Sequence, residues 1–175
     1  MKKLMIIIAI SLVGITVMLS GCNQKGQGTL IIKLTDAPSD LNITEALITM
    51  SNLQVHYAGI NNENETYGEW ITIINESQTF DLIALHNATA LFGNATLQAG
   101  WYTQIRLNVD QALVTIDGVQ YDLEIPSKKV KLIKPFQVIQ NETLTLILDF
   151  DIHKSVHQTG SDKYILKPTI KVIQE

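Results

Sequence analysis

Carboxylate side chains are the residues with the clearest potential for chemistry. Asp149 and Asp151 are two positions apart in a segment with alternating apolar residues, so a strand would place both carboxylates on one face, about 6.5–7 Å apart. Asp36, which precedes a proline turn, is expected nearby. Such a group could bind Ca²⁺, or Arg106 could neutralise it in a bidentate pair. A structural pair or turn cap is the first interpretation, with metal binding and plain solvent exposure as the alternatives.

The other reactive residue types do not form a catalytic motif. His153 and His157 have helical ligand spacing, but their segment is predicted as strand and loop and lacks the glutamate of a metalloprotease motif. No nucleophile elbow, glycine-rich phosphate loop or Cys-His arrangement is present. The sequence therefore predicts a non-enzymatic protein without a cofactor. A candidate sugar-stacking platform consists of Tyr57, Tyr67, Trp70 and Trp101.

Cys22 is the single cysteine, and its surroundings predict lipid modification. A basic start, Met1–Lys3, precedes the apolar run Leu4–Leu19, which is shorter than the roughly 20 residues of a membrane-spanning helix and is typical of a signal peptide. Leu19-Ser20-Gly21-Cys22 then matches the lipobox of bacterial and archaeal lipoproteins. We expect cleavage before Cys22 and stable anchoring by acyl chains on its thiol. An uncleaved anchor helix is the alternative.

Asn-x-Ser/Thr sequons are more frequent than chance predicts. The chain has six of them, where roughly one or two are expected for its content of asparagine, serine and threonine. Most lie in segments predicted as turns or loops, where a glycan is tolerated. Good loop-forming propensity of Asn and Thr is the alternative explanation. Together with the lipobox, N-glycosylation would indicate an archaeal host. The candidate asparagines are Asn42, Asn64, Asn75, Asn87, Asn94 and Asn141.

Length and composition indicate one domain after the signal peptide. We expect a signal peptide over 1–21, a flexible tether over 22–28 and a folded domain over 29–175. With no second cysteine for a disulfide, the domain must be stabilised by its core. The net charge of −4 and the single arginine disfavour nucleic-acid binding.

Strand patterns dominate the mature segment. Residues 43–57 alternate with a change of phase at Ser51-Asn52, which predicts a bulge in one long strand. Asp117-Gly118 between two alternating runs predicts a hairpin, and Pro135 places its strand at an edge or a break. Residues 88–92 are predicted to form a helical turn. About eight or nine strands without long helices predict an antiparallel β-sandwich, immunoglobulin-like or transthyretin-like.

Four segments in order resemble the domain of unknown function 4382 family of surface lipoproteins. They are Leu34-Thr35-Asp36-Ala37-Pro38, residues 99–107 (AGWYTQIRL), Leu148-Asp149-Phe150-Asp151 and Tyr164-Ile165-Leu166-Lys167-Pro168. The resemblance covers about residues 28–173, and it departs from the family at Pro126-Ser127-Lys128, where a Pro-Ser-Gly turn is usual. It implies a lipoprotein with a β-sandwich and implies no activity.

The sequence thus predicts a lipid-anchored module on the extracytoplasmic face of the membrane. Display or an envelope role is the first interpretation, with envelope glycans or proteins as partners. The alternative is a surface protein that binds a carbohydrate or another small ligand, with or without Ca²⁺.

Overall fold

The computed structural model describes residues 26–37, 42–60, 68–160 and 162–175 of the 175-residue chain. The signal peptide, Cys22, Asn64 and Tyr67 lie outside these residues, as does Pro38. No helix within the described ranges is long and apolar enough to cross a membrane.

Twelve strands and two short helical segments make up the described part of the chain. The strands are β1 Gln27–Asp36, β2 Ile43–Gly59, β3 Glu69–Ile74, β4 Gln78–Asp81, β5 Ala90–Gln98, β6 Gly100–Ile116, β7 Val119–Glu124, β8 Lys129–Val138, β9 Thr143–Phe150, β10 Val156–Gly160, β11 Lys163–Leu166 and β12 Ile170–Gln174. A 3₁₀ turn spans Ile83–Leu85, and the one-turn helix α1 spans Ile152–Ser155.

Two sheets pack as a sandwich, which confirms the all-β prediction. The smaller sheet has the order β12-β9-β1-β5. The larger sheet has the order β10-β11-β7-β6-β2-β3, with β4 added to β2 and β8 added to β6. Both sheets are mixed, because β1 pairs in parallel with β9 and β7 with β11. The described strands therefore outnumber the expected eight or nine, and the arrangement is not purely antiparallel.

The core lies between the inward faces of the sheets, as the period-2 patterns predict. In β1 every second residue from Gly28 to Asp36 is buried. Apolar residues of β2 and β6, the two longest strands, form the inward face of the large sheet. The largest fully buried side chains include Tyr102, Phe92, Phe136, Phe150, Leu30, Ile32, Leu34, Ile48, Met50 and Ile105.

Three local predictions are reproduced in the structure. β2 shifts register between Ser51 and Gln54, and Asn52 has a left-handed φ of 51°. Asp117 and Gly118, with φ of 50° and 79°, form the two-residue turn between β6 and β7. Pro135 lies in β8, which pairs only with β6 among the described strands, and the register shifts beside it.

Three other local predictions are wrong. Residues 88–92 do not form a helical turn, because β5 begins at Ala90 and is held in the sheet by pairing with β1. The apolar residues at every second position from Tyr164 to Val172 predict one continuous strand, but the segment is divided between β11 and β12, which belong to different sheets. Asp151 is not a strand residue, because β9 ends at Phe150 and α1 follows.

Candidate functional site

Asp36 is a buried carboxylate at the end of β1. Its side chain is 5% exposed, and its Oδ1 accepts a hydrogen bond from the Ile152 backbone N–H at 3.1 Å. Parallel pairing places Asp36 beside Phe150 at the end of β9. Burial raises the pKa of Asp36 to about 6, and the charges of Asp151 and Asp149 add to this, against the lowering effects of the Ile152 hydrogen bond and His86.

Asp151 is the N-cap residue of α1. Its Oδ1 accepts a hydrogen bond from the Lys154 backbone N–H at 3.0 Å, and its Oδ2 forms an ion pair with Lys154 Nζ at 2.6 Å. Burial alone would raise the pKa of Asp151, but the hydrogen bonds and charge of Lys154 outweigh it and hold the pKa below its usual value. The carboxylate is therefore a turn cap with its own cation.

The structure brings Asp36, Asp149 and Asp151 to the same junction of strand and helix. Asp149 is half-buried in β9, opposite Thr35 and Lys171. Within the described ranges, no three His, Cys, Asp or Glu side chains are arranged to hold a metal ion. The hydrogen bonds made by Asp36 and Asp151 favour the structural interpretation of this group, as a junction that fixes the start of α1.

Arg106 lies elsewhere, on the outer face of the large sheet. Its Cζ is 3.2 Å from the centre of the Trp70 ring, a cation–π contact between β6 and β3. The ion pair found in the described part of the chain is Lys154 with Asp151, so the expected pairing of Arg106 with the aspartates does not occur. The prediction failed because strand pairing places Arg106 opposite Gln54 and Lys131, away from the end of β9.

The aromatic residues proposed for a sugar platform are distributed over different environments. Trp70 contacts His56 at 4.9 Å between ring centres and carries Arg106 on its ring. Tyr57 packs on the buried Tyr102, and its hydroxyl accepts a hydrogen bond from the Gln98 amide. Burial raises the pKa of Tyr57, as does Glu69, against the lowering effect of the Gln98 hydrogen bond. Trp101 is half-buried opposite Gln137.

The histidines occupy separate positions. His56 is on β2, where its Nδ1 lies 2.9 Å from Thr103 Oγ1. His86 follows the 3₁₀ turn, and its backbone pairs with that of Asp36 in an isolated parallel β-bridge. His153 and His157 are both exposed, the first in α1 and the second in β10.

The sequon asparagines that the structure describes are all exposed. The two described asparagines outside sequons, Asn52 and Asn108, are half-buried. Sequon positions are therefore accessible to a bulky modification, which is a requirement for glycosylation. The exposed members are Asn42, Asn75, Asn87, Asn94 and Asn141.

A cavity of about 310 Å³ opens where β2 begins and β6 ends. Its polar and aromatic lining comes from Asn42, Asp117, Gln158 and Tyr164. Ile43, Ile116 and Val156 form its apolar wall. No local sequence pattern predicts this cavity, because its residues come from segments up to 122 positions apart in the sequence. A mixture of aliphatic wall and convergent polar groups is typical of small-molecule sites.

The cavity lies at the end of the sandwich opposite Gly26, where the described N-terminal segment begins. The Ala99 N–H donates to the Gly26 carbonyl at 2.7 Å, and β6 starts at the next residue, Gly100. From there β6 runs 17 residues to Ile116 in the cavity wall. At roughly 3.3 Å per residue, the strand path separates the two ends by about 50 Å. We name them the N-terminal end and the far end.

Fold and surface together define an all-β sandwich domain with a small cavity at one end. The chain belongs to the family described as "Domain of unknown function (DUF4382)", which matches residues 27–168. This match confirms the resemblance predicted from the four sequence segments. A search of curated proteins finds no match.

Two solved structures show distant likeness. One is a leucine-rich repeat protein from Bacteroides thetaiotaomicron VPI-5482, with 14% identity, a TM-score of 0.29, and coverage of 70% of this chain and 13% of that one. The other is a proposed cell adhesion protein from Bacteroides ovatus ATCC 8483, with 10% identity, a TM-score of 0.23, and coverage of 84% and 44%. The chain thus spans less than half of either structure, and likeness at these TM-scores carries no argument about function.

Proposed function

We propose that this protein is a non-enzymatic module, anchored by lipid on Cys22 outside the cell membrane, that presents its far end to the surroundings. The observation that carries the proposal is the course of β2 and β6. Each has 17 residues, and each runs between the N-terminal end and the wall of the far cavity. A lipid on Cys22 would hold one end of the sandwich at the membrane and direct the cavity outward.

The short spacer supports this orientation. Cys22 is four residues before Gly26, so an extended spacer reaches at most about 14 Å. The turn at residues 139–142 shares the N-terminal end, since the Asn141 N–H donates to the Gln27 carbonyl at 2.8 Å. In an anchored chain this turn would lie near the lipid headgroups, and Asp117-Gly118 at the far end would lie away from them.

Thiol labelling on intact cells tests both the location and the orientation. Cys22 is the sole cysteine, so an added cysteine is the only free thiol once Cys22 is acylated. Val119→Cys adds a thiol at the far end, where the side chain is 52% exposed, and Gln140→Cys adds one in the exposed turn at the N-terminal end. We expect a bulky, membrane-impermeant maleimide to label Val119→Cys several-fold faster than Gln140→Cys.

Matched controls separate the two parts of the proposal. In detergent both thiols should react at similar rates, because both sites are exposed in the fold. Cys22→Ser should move the protein from the membrane to the soluble fraction. Reaction of neither thiol before lysis would exclude a surface location, and equal rates on cells would exclude the orientation.

A second candidate function is binding of a small saccharide in the far-end cavity. It is favoured by the meeting of one aromatic ring, Tyr164, with the amide and carboxylate groups of Asn42, Gln158 and Asp117. Sugars are bound by such combinations of a stacking face and hydrogen-bonding side chains. Tyr164 also contacts Tyr121 at 4.9 Å between ring centres, which holds its ring in place.

A glycan array probed with the purified chain tests this candidate. We expect a neutral oligosaccharide to bind the chain that carries only Thr44→Ala. Adding Tyr164→Ala or Gln158→Ala should weaken this binding. Because Asn42 is itself a sequon, Thr44→Ala is used in every arm to remove the sequon and keep the Asn42 side chain. No bound saccharide in the Thr44→Ala background would exclude this function.

A further inference from the structure

The large sheet brings cations together on a protein that is acidic overall. Lys129 and Lys131 are exposed residues two positions apart in β8, so their side chains share one face. Arg106 is the direct antiparallel partner of Lys131, which places it on that same face. The chain has 17 acidic and 13 basic residues. This local group of positive charges is therefore opposite in sign to the net charge of −4.

The pairing of Arg106 with Lys131 is unfavourable by itself, because like charges directly opposite each other in a sheet repel. The Trp70 ring offsets part of this repulsion, because the Arg106 Cζ lies 3.2 Å from the ring centre in a cation–π contact. Among the described side chains, no carboxylate forms an ion pair with Arg106, Lys129 or Lys131. An anion from outside the chain would remove this repulsion.

The two lysines also line a cleft, which we name the lysine cleft. It has a volume of about 320 Å³, and its opposite wall carries Lys167, which follows β11. All three lysines are exposed. Pro126 and Pro168 flank them, and proline fixes the backbone φ, which restricts the backbone conformation on both sides of the cleft. None of the residues that line the cleft is acidic.

We propose that the lysine cleft binds the acidic groups of an extended anionic polysaccharide, with uronate or sulfate as the group held between Lys129, Lys131 and Lys167. Arg106 and Trp70 extend the site across the sheet. From β8 to β3 the distance is three strand spacings, or roughly 15 Å, which is enough for several sugar units. This site is separate from the far-end cavity and does not depend on the saccharide binding proposed there.

A polymer fits this geometry better than an anionic membrane. The cleft is concave, so a single acidic group on a chain can enter it, whereas the headgroup plane of a bilayer would meet only its rim. The cleft also lies on the flank of the sandwich. Asn108, the partner of Lys129, is eight residues along β6 from Gly100 at the N-terminal end, roughly 26 Å at the rise of a strand.

Binding is measured with the full-length chain in neutral detergent, by fluorescence anisotropy of labelled polygalacturonate and dextran sulfate fragments. Uncharged dextran is the neutral probe. We expect the two acidic probes to bind, dextran to show no binding, and added salt to weaken the acidic probes because it screens exposed charges.

The decisive variant is Lys129→Gln/Lys131→Gln/Lys167→Gln. We expect its Kd for the acidic probes to rise about tenfold or more, because three charge-assisted contacts are lost. The matched control is Lys33→Gln/Lys163→Gln/Lys171→Gln, which removes the same charge from described positions outside the cleft and should change the Kd less than about twofold. Replacing the three cleft lysines by arginine keeps the charge and should keep binding.

Three results would overturn the proposal. Equal losses in the cleft variant and the control would show that only net charge matters. Absence of acidic-probe binding at low salt would remove the site. Lysine-dependent binding to phosphatidylglycerol vesicles with no binding to either polymer would assign the cleft to the membrane. If the glutamine variant fails to melt cooperatively, the single variant Lys131→Gln is compared with Lys171→Gln, and equal affinities would likewise count against the proposal.

Discussion

At the scale of single residues, Asp36 shows how one carboxylate acquires its properties from packing. The sequence placed it before a proline turn and suggested a partner in Arg106. In the fold it is buried, and its hydrogen-bond donor is the backbone N–H of Ile152, 116 residues away in sequence. Burial raises its pKa to about 6, against the lowering effects of the Ile152 hydrogen bond and of His86. Asp36 therefore makes stability dependent on pH.

We expect Asp36→Asn to remove a pH-dependent loss of stability. Below pH 3.8 the carboxyl group is neutral in both states. Between 3.8 and about 6 the folded state keeps a proton that the unfolded state releases, so the stability contributed by neutral Asp36 is lost as pH rises through this window. The full effect is roughly 2–3 kcal/mol at neutral pH, since one pKa unit corresponds to about 1.4 kcal/mol.

Thermal melts at pH 4.5 and pH 7.5 measure this effect. The Tm of Asp36→Asn minus the Tm of the parent protein should be several degrees larger at pH 7.5 than at pH 4.5. Asp122→Asn, on the exposed side of β7, is the matched control and should show no such shift. A difference between Asp36→Asn and the parent that is the same at both pH values would contradict the assignment.

At the scale of elements, alternation predicted the strands whose pairing is local. The bulge in β2 and the hairpin at Asp117-Gly118 follow from residues within a few positions of each other. The division of 164–172 between two sheets does not, because its alternation continues through Lys167-Pro168. Likewise, β5 lacks a clean alternation, and its strand conformation comes from pairing with β1.

Gly100, the first residue of β6, is a position where both the backbone conformation and the surrounding atoms require glycine. Its φ is +149°, and an added Cβ would lie 2.8 Å from the Gly59 carbonyl oxygen and from Cε2 of Tyr57. Backbone cannot yield to such a contact without moving the ends of β2 and β6. We expect Gly100→Ala to destabilise the fold by about 2 kcal/mol or more, measured by urea unfolding.

Gly160→Ala is the control for this substitution. An added Cβ at Gly160 meets no atom within 4 Å, and its φ is outside the range that disfavours side chains. Its effect should be within about 0.5 kcal/mol. Equal effects of the two substitutions would show that contact with Gly59 and Tyr57 does not determine the requirement at Gly100.

At the scale of the whole molecule, the described sequons lie on one edge strand and in several connections between strands. Asn42 is at the far end, Asn94 is on the edge strand β5, and Asn141 is at the N-terminal end. A chain glycosylated at these positions would be covered on several sides, and a glycan on Asn42 would stand at the mouth of the cavity.

We expect the mature protein from its native host to be heavier than the bare lipidated polypeptide by whole glycan units. Replacing the hydroxyl residue of one described sequon, for example Thr96→Ala for Asn94, should remove one unit in intact-mass measurement. Thr79→Ala, outside any sequon, should change the mass only by the substitution. A mass equal to that of the bare lipidated chain would exclude glycosylation.

The sequence by itself determined the strand-rich class, the family, the bulge in β2 and the turn at Asp117-Gly118. These features depend on residue type and on the period of two along the chain, which are local quantities. The net charge of −4 and the single arginine disfavoured nucleic-acid binding, but these totals over the chain do not show where the lysines meet in the fold.

Only the tertiary structure decided which side chains meet. Arg106 contacts Trp70 rather than the aspartates, and Lys167 faces Lys129 and Lys131 across a cleft. These contacts join residues 36 or more positions apart in sequence. Strand order and register fix them, and both are set by burial of two complete sheet faces, which no single segment can specify.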